Sequence, residues 1–311
     1  MAAPATSALL DLSNQLAAAV ERGAQSTVAV HARPQLASTG VHWRDGVIVT
    51  THATVRREQD LWVTLPGGER VAATLQGRDP STDLAALRIE PGKAPVAEPG
   101  DVGAAKPGHL VLALARLDAS GPRAAFGAVS ATGGPWRCWR GGEIARLVQS
   151  DLTLYPGFGG GPLVDIEGRV LGINSGGLSR PFATTLPVET VNRVLDVLLS
   201  RGYVPRGWLG AGMQAVRLSP ALRQRLALER EGGLLVTTVE PDGPAALGGL
   251  LVGDVIVAID GRPMREPEDV LHVLTGDAVG RTLELSLVRG GARAEIEVLV
   301  GERPRGDGRR R

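Results

Sequence analysis

The chain has 311 residues, a length that suits two domains better than one, and it is 43% hydrophobic with only 3% aromatic residues. Its 34 Lys and Arg stand against 33 Asp and Glu, a net charge of +1 that offers no global field for nucleic acid or a membrane surface. The single cysteine, Cys138, excludes an internal disulfide and a cysteine-based metal cluster, and reads as a packing residue. No run of about 18 apolar residues predicts a membrane span. Residues 1–20 lack a basic leader region and include Asp11, so no signal peptide is expected. The expected location is therefore cytoplasmic, or periplasmic had a signal been removed.

In chain order, Leu9, Leu10, Leu12, Leu16, Ala17 and Val20 lie at helical spacing and predict an amphipathic helix over 7–22, closed by Gly23. From Thr27 the pattern changes to short β-branched runs separated by turn residues. Strands are predicted at 27–30, 46–50, 61–65, 70–75, 84–89, 110–115, 124–129, 146–149, 163–164 and 170–174. With 42 glycines and 21 prolines, this describes an all-β barrel or sandwich domain. Val191, Val194, Leu195, Leu198 and Leu199 then form one face of a helix over 188–199. Residues 201–207, with two glycines and Pro205, read as a linker. The unit beyond it mixes strands at 208–213, 234–239, 255–259, 282–288 and 294–300 with helices at 220–226, 244–248 and 266–274, an α+β pattern. The expected domains are an N-terminal helix (1–24), a β domain (25–200), the linker, an α+β domain (208–301) and a disordered basic tail (302–311) with five arginines.

Near the middle runs Tyr155-Pro156-Gly157-Phe158-Gly159-Gly160-Gly161-Pro162-Leu163. Three successive glycines permit positive φ and close backbone approach, and Pro162 then fixes φ. Such a turn aims backbone N–H groups at an anion, lets a substrate approach closely, or simply turns the chain. It lacks the lysine of a phosphate loop and the spacing of a dinucleotide fingerprint. The five histidines, His31, His42, His52, His109 and His272, show no pair at ligand spacing, so neither a metal nor a cofactor is expected.

Three segments in order carry a family resemblance: residues 46–55 (Gly-Val-Ile-Val-Thr-Thr-His-Ala-Thr-Val), residues 77–85 (Gly-Arg-Asp-Pro-Ser-Thr-Asp-Leu-Ala), and the glycine stretch followed by Gly168-Arg169-Val170-Leu171-Gly172-Ile173-Asn174. Together they resemble the protease domain of the HtrA/Deg family of trypsin-like serine endopeptidases. The second unit resembles the PDZ domain that follows in that family, through Trp208-Leu209-Gly210-Ala211, the turn at 240–246 and the segment 249–256. The resemblance spans roughly residues 8 to 300 and implies a mainly β fold. It comprises a chymotrypsin/trypsin-like pair of six-stranded β-barrels with the active site between them, then an α+β PDZ domain.

That active site needs a serine nucleophile, a histidine base, an aspartate orienter and two backbone N–H donors for the oxyanion. By the resemblance, the aspartate position falls on Asp83. The family pattern Val-Thr-Asn-Asn-His-Val-Val, laid without gaps, puts the histidine position on Ala53. His52 stands one residue early, a bystander or a displaced base. The pattern Gly-Asn-Ser-Gly-Gly-Pro-Leu puts the serine position on Gly159, and the matching oxyanion N–H groups on Gly157 and Gly159. Residues 180–187 correspond to the wall of the primary specificity pocket. In the PDZ-like unit, the N–H groups around Trp208, Leu209, Gly210 and Ala211 would hold a peptide carboxylate. Val270 and Leu274 would be apolar contacts in the groove.

Three functions follow from these residues. The first is a non-catalytic, HtrA-like pseudoprotease that binds peptides, C-termini or unfolded proteins by strand addition, which needs no nucleophile. The second is a serine-type endopeptidase, inactivated in this chain or working through a displaced base. The third is a structural scaffold, in keeping with the family's homo-oligomers, though the N-terminal segment has no aromatic cluster to support trimerisation.

Overall fold

The computed structural model describes residues 8–34, 36–178, 183–228 and 231–304. These fall into two compact units dividing between Val204 and Pro205. The expected wall residues 180–182, residue 7 and most of the basic tail lie outside the described residues.

The first unit opens with α1 (Ala8–Ala24), which runs through the predicted Gly23 stop and one residue past it. Gly23 is used for contact instead: a Cβ there would meet Leu114 at 2.6 Å, so the helix end lies directly on the barrel. The strands are β1 (Thr27–His31), β2 (Ser38–Arg44), β3 (Val47–Thr51), β4 (Leu61–Thr64), β5 (Arg70–Asp79) and β6 (Leu84–Arg88). They close a barrel in the order β1-β2-β3-β6-β5-β4. Then come β7 (Leu110–Arg116), β8 (Pro122–Gly133), the small ribbon of β9 (Trp136–Arg137) and β10 (Glu143–Ile144), β11 (Leu147–Ser150), β12 (Pro162–Val164), β13 (Val170–Ser175) and β14 (Ala183–Pro187). A second barrel closes as β11-β14-β13-β12-β7-β8. The two six-stranded barrels are those the resemblance implies.

Helix α2 (Val188–Arg201) buries Val191, Val194, Leu195 and Leu198, the i, i+3, i+4, i+7 stripe legible in the sequence. Each such side chain withdrawn from water contributes roughly 1.5–3 kcal/mol. Gly202, at φ 78°, ends the helix by donating its N–H to Leu198 O at 2.9 Å.

The second unit has β15 (Gly207–Trp208), β16 (Ala211–Arg217), α3 (Pro220–Arg225), β17 (Gly232–Val239), α4 (Pro244–Leu247), β18 (Val255–Ile259), β19 (Arg262–Pro263), α5 (Pro267–Val273), β20 (Thr282–Arg289), β21 (Ala292–Leu299) and β22 (Gly301–Glu302). Its sheet runs β16-β17-β18-β20-β21, with β19 against β18, and β15 pairs with β22 apart from it. Residues assigned to linker and tail are therefore structured at their edges: Gly207 pairs with Glu302, because backbone groups beyond the last core residue, Val300, still find partners in each other.

The loop leading into β18 is held by one buried carboxylate. Asp254 is 1% exposed and accepts from Arg289 Nε at 2.8 Å, from Arg289 Nη2 at 2.7 Å and from the Leu251 N–H at 2.8 Å. The guanidinium beside it holds the Asp254 carboxyl below the usual carboxylate range, against the opposing effect of burial. A depressed native pKa means the stabilisation is full above the unfolded value of about 3.9 and is lost as pH falls through the native one. Asp254→Asn is expected to cost about 1–3 kcal/mol at pH 7. In urea unfolding, the gap to wild type should close below about pH 4; a gap of constant size down to pH 2 would contradict this account.

Candidate active site and peptide groove

The site in the first unit is built from the turn between β5 and β6. Asp79 Oδ1 accepts from the Ser81 N–H and hydroxyl, and Oδ2 from those of Thr82. This closes the turn and delivers Asp83 in a left-handed conformation, φ 57°, 1% exposed. The β9–β10 turn lies over the same segment: Cys138 Sγ donates to Ser81 O at 2.8 Å and Arg140 Nη1 to Pro80 O at 3.2 Å. The lone cysteine is thus a buried packing residue.

Asp83 Oδ1 accepts the Ala53 N–H at 2.8 Å, and Asp83 O accepts the His52 N–H at 2.9 Å. Oδ2 accepts the Ser175 hydroxyl at 2.6 Å. Both carboxylate oxygens are therefore occupied by groups other than an imidazole. Ala53 and His52 sit in a single 3-10 turn, His52–Thr54, with Ala53 exposed. His52 is half-buried, and its Nδ1 is buried without a hydrogen-bond partner. Burial pushes the His52 imidazole below its ordinary range; Arg78 adds to this, and Asp83 pulls weakly the other way.

The glycine stretch follows β11 and leads into β12. Thr39 Oγ1 donates to Gly157 O at 2.7 Å, Gly160 N–H to Asn174 O at 2.9 Å and Gly161 N–H to Phe158 O at 2.9 Å. The Gly157 and Gly159 N–H groups have no acceptor among the described residues. Two of the three central glycines differ sharply in what they tolerate. Gly160 has φ 88°, and a Cβ there would stand 2.2 Å from Thr39 O. Gly159 lies outside the left-handed range, and its Cβ would meet only Thr51 Oγ1 at 3.7 Å and Thr54 Cγ2 at 3.9 Å, ordinary contacts.

Ser175, Thr39, Thr51 and Thr54 were not among the predicted site residues. Ser175 carries no local signal, since it ends an apolar strand. The three threonines sit in strands or turns where β-branched residues are unremarkable by propensity.

In the second unit, Trp208, Leu209, Gly210, Ala211, Val270 and Leu274 all line one cavity of about 260 Å³, together with Met213, Leu271 and others. It lies between β16, an edge strand of the sheet, and α5. Leu209 O accepts from the Ala245 N–H at 2.7 Å and Gly210 O from the Glu240 N–H at 2.7 Å. With their carbonyls turned to the domain, the Leu209 and Gly210 N–H groups have no acceptor among the described residues, although both residues are buried. A buried N–H without a partner is costly and is normally satisfied; a carboxylate at this end of the cavity would satisfy both. Among the described residues no group of three or more His, Cys, Asp or Glu stands together at a metal-holding distance.

A double six-stranded barrel followed by a sheet-and-helix groove defines a trypsin-like protease fold joined to a PDZ domain. Residues 38–173 match the trypsin-like peptidase domain family, and residues 207–300 the PDZ domain family. A "Probable periplasmic serine endoprotease DegP-like" of Pseudomonas fulva (strain 12-X) is 35% identical over 270 residues, 85% of this chain and 55% of that protein. The chain thus spans about half the length of the curated relatives it matches. The solved HtrA-type protease AlgW with tripeptide is 30% identical with a TM-score of 0.70, covering 94% of this chain and 99% of that one. The serine endoprotease from Yersinia pestis is 26% identical with a TM-score of 0.72, covering 93% and 98%. The chain belongs to the HtrA family of trypsin-like serine proteases with a PDZ domain. The cytoplasmic expectation is overturned here: this Pseudomonas relative and the one from Brucella suis biovar 1 (strain 1330) are named as periplasmic. The absence of a basic leader in residues 1–20 was the wrong ground for it, because where this sequence begins carries no information on the compartment.

Two outcomes follow from this geometry. Gly160→Ala is expected to lower stability by about 2–4 kcal/mol, and Gly159→Ala to leave it within about 1 kcal/mol, in parallel urea titrations. Equal costs would mean the loop is not held as described. The His52 imidazole is expected to titrate below about 6.5 by NMR; a midpoint above that value would mean a paired, Asp83-supported base.

Proposed function

We propose that this chain is an HtrA-type pseudoprotease, which binds polypeptide in its cleft and PDZ groove without cleaving it. The observation that carries the reading is Gly159: the turn around it is hydrogen-bonded on both sides and keeps two unengaged N–H donors, yet the position assigned to the nucleophile has no side chain. The position assigned to the base is Ala53, whose N–H rests on Asp83 Oδ1. Its neighbour His52 has a buried, unpartnered Nδ1 and no bond to the Asp83 carboxylate. With neither base nor nucleophile, the route through an acyl-enzyme has no first step.

Binding depends on different groups. The donors at Gly157 and Gly159 belong to the backbone and remain able to hold a carbonyl or carboxylate oxygen. In the second unit, β16 offers an open edge for an added peptide strand, and the Leu209 and Gly210 N–H groups suit a terminal carboxylate. The AlgW structure with tripeptide supports peptide as the ligand class. The relatives' names support a periplasmic setting.

A serine-type endopeptidase is the second reading, favoured by those same names. The two diverge on one experiment. The chain as it stands is expected neither to degrade casein nor to react with a fluorophosphonate probe. The double variant Ala53→His, Gly159→Ser is expected to do both, because Ala53 is exposed and Gly159 has room for a Cβ. The gap spans up to about a millionfold in turnover, as when a nucleophile or base is removed from a serine protease. Probe-sensitive cleavage by the unaltered chain would overturn the pseudoprotease reading.

A further inference from the structure

Among the described residues, the cavity of the second unit has one charged residue in its lining, Arg303. This residue lies beyond the last strand of the sheet, in a segment the sequence assigned to a disordered tail. The β15–β22 ribbon places it: Gly207 pairs with Glu302, Trp208 pairs with Gly301, and the Arg303 N–H donates to Arg206 O at 2.9 Å. Arg303 is thereby fixed beside the start of the loop that carries the Leu209 and Gly210 N–H groups. Gly207 also touches the far end of α5, since a Cβ there would lie 3.1 Å from Leu274 Cα. The backbone of Arg303, a lining residue, is therefore held at the same end of the cavity as the two N–H groups that lack an acceptor among the described residues. The walls toward the opposite end are apolar, from Met213, Pro267, Val270 and Leu271.

The role open to a lone cation here follows from what surrounds it. Among the described residues no carboxylate lines the cavity and Arg303 has no ion pair. Two backbone N–H groups supply partial positive charge but no net charge. A guanidinium adds a full charge and a planar donor fork that matches a carboxylate. We propose that Arg303 is a specificity-determining residue of the peptide groove, ion-pairing with the α-carboxylate of a bound polypeptide that ends in an apolar residue. The assignment rests on the groove reading above and adds a selection that the backbone donors make less sharply: a free C-terminus over an internal or amidated segment. Arg303 is exposed, so its contribution is that of a partly screened pair and is sensitive to salt.

The test uses the full chain and labelled decapeptides ending in Val, Leu or Phe, each as free acid and as C-terminal amide, titrated by fluorescence anisotropy. Wild type is expected to prefer the acid over the amide. Arg303→Ala is expected to weaken acid binding about fivefold while leaving amide binding unchanged. Arg303→Lys is expected to recover most of the loss at low salt and little of it at high salt. Equal weakening of acid and amide would make Arg303 a structural cap of the ribbon or of α5, and would overturn the proposal. So would an acid preference undiminished in Arg303→Ala; the groove reading would then stand without it. Wild type binding acid and amide alike, or binding neither, would remove the groove reading and this assignment with it.

Discussion

The cleft of the first unit depends on a single buried carboxylate. Asp83 belongs to the first barrel, at the entry to β6, and Ser175 to the second, at the end of β13; the 2.6 Å bond between them crosses from one barrel to the other. The same carboxylate grips the Ala53 N–H, and its backbone carbonyl grips that of His52. A buried carboxylate without such partners is strongly unfavourable. Once Asp83 is inside, the 3-10 turn, β13 and the strained φ of Asp83 itself are all constrained by its need for donors. The Asp79 turn upstream makes that strain tolerable by fixing the chain before it arrives.

That dependence explains how a cleft keeps its form after losing catalytic side chains, on the reading proposed here. The shape at Gly157–Gly161 comes from main-chain bonds to Thr39, Asn174 and Phe158, none of which involves a side chain at position 159. The Asp83 carboxylate is supported by the Ser175 hydroxyl on one oxygen and the Ala53 N–H on the other, so each has a donor without an imidazole at position 53. Chemistry can be removed at two positions while every bond that builds the site remains. The reverse does not hold: a side chain at Gly160 would collide with the Thr39 carbonyl, breaking the loop and the inter-barrel contact together.

Much of this was legible in the sequence, for physical reasons that also mark its limits. Strands with alternating or continuous β-branched residues, such as β3 and β6, and the α2 stripe showed themselves by periodicity. The strand β2, Ser-Thr-Gly-Val-His-Trp-Arg, did not: Ser38, Thr39 and His42 are fully buried, yet polar. For Thr39 and His42 that burial is made tolerable by hydrogen bonds, Thr39 to Gly157 O, and His42 to the Gly46 N–H and to Pro95 O. Gly46 is near in sequence, but no local window contains Gly157 or Pro95. Ser175 was missed for the same reason, its partner lying 92 positions away. Residues 302 and 303 were assigned to a tail because their composition is polar and charged, while the property that orders them, backbone pairing with Arg206 and Gly207, has no compositional signature.

On the reading proposed here, the two units reach a comparable solution to recognising an extended chain. In each, a short loop containing glycine leaves two backbone N–H groups without an acceptor among the described residues, while its carbonyls are tied down elsewhere: Gly157 O by Thr39, and Leu209 O and Gly210 O by Ala245 and Glu240. Backbone donors read the presence of an oxygen and not the identity of a side chain, so sequence preference has to come from the walls. In the PDZ groove those walls are Met213, Val270, Leu271 and Leu274, which favour apolar residues by burial, leaving charge selection to whatever cation stands at the donor end. A recognition device of this kind does not depend on turnover. On the proposed reading, loss of the nucleophile changes how long a bound chain stays intact and leaves what the protein recognises as it was.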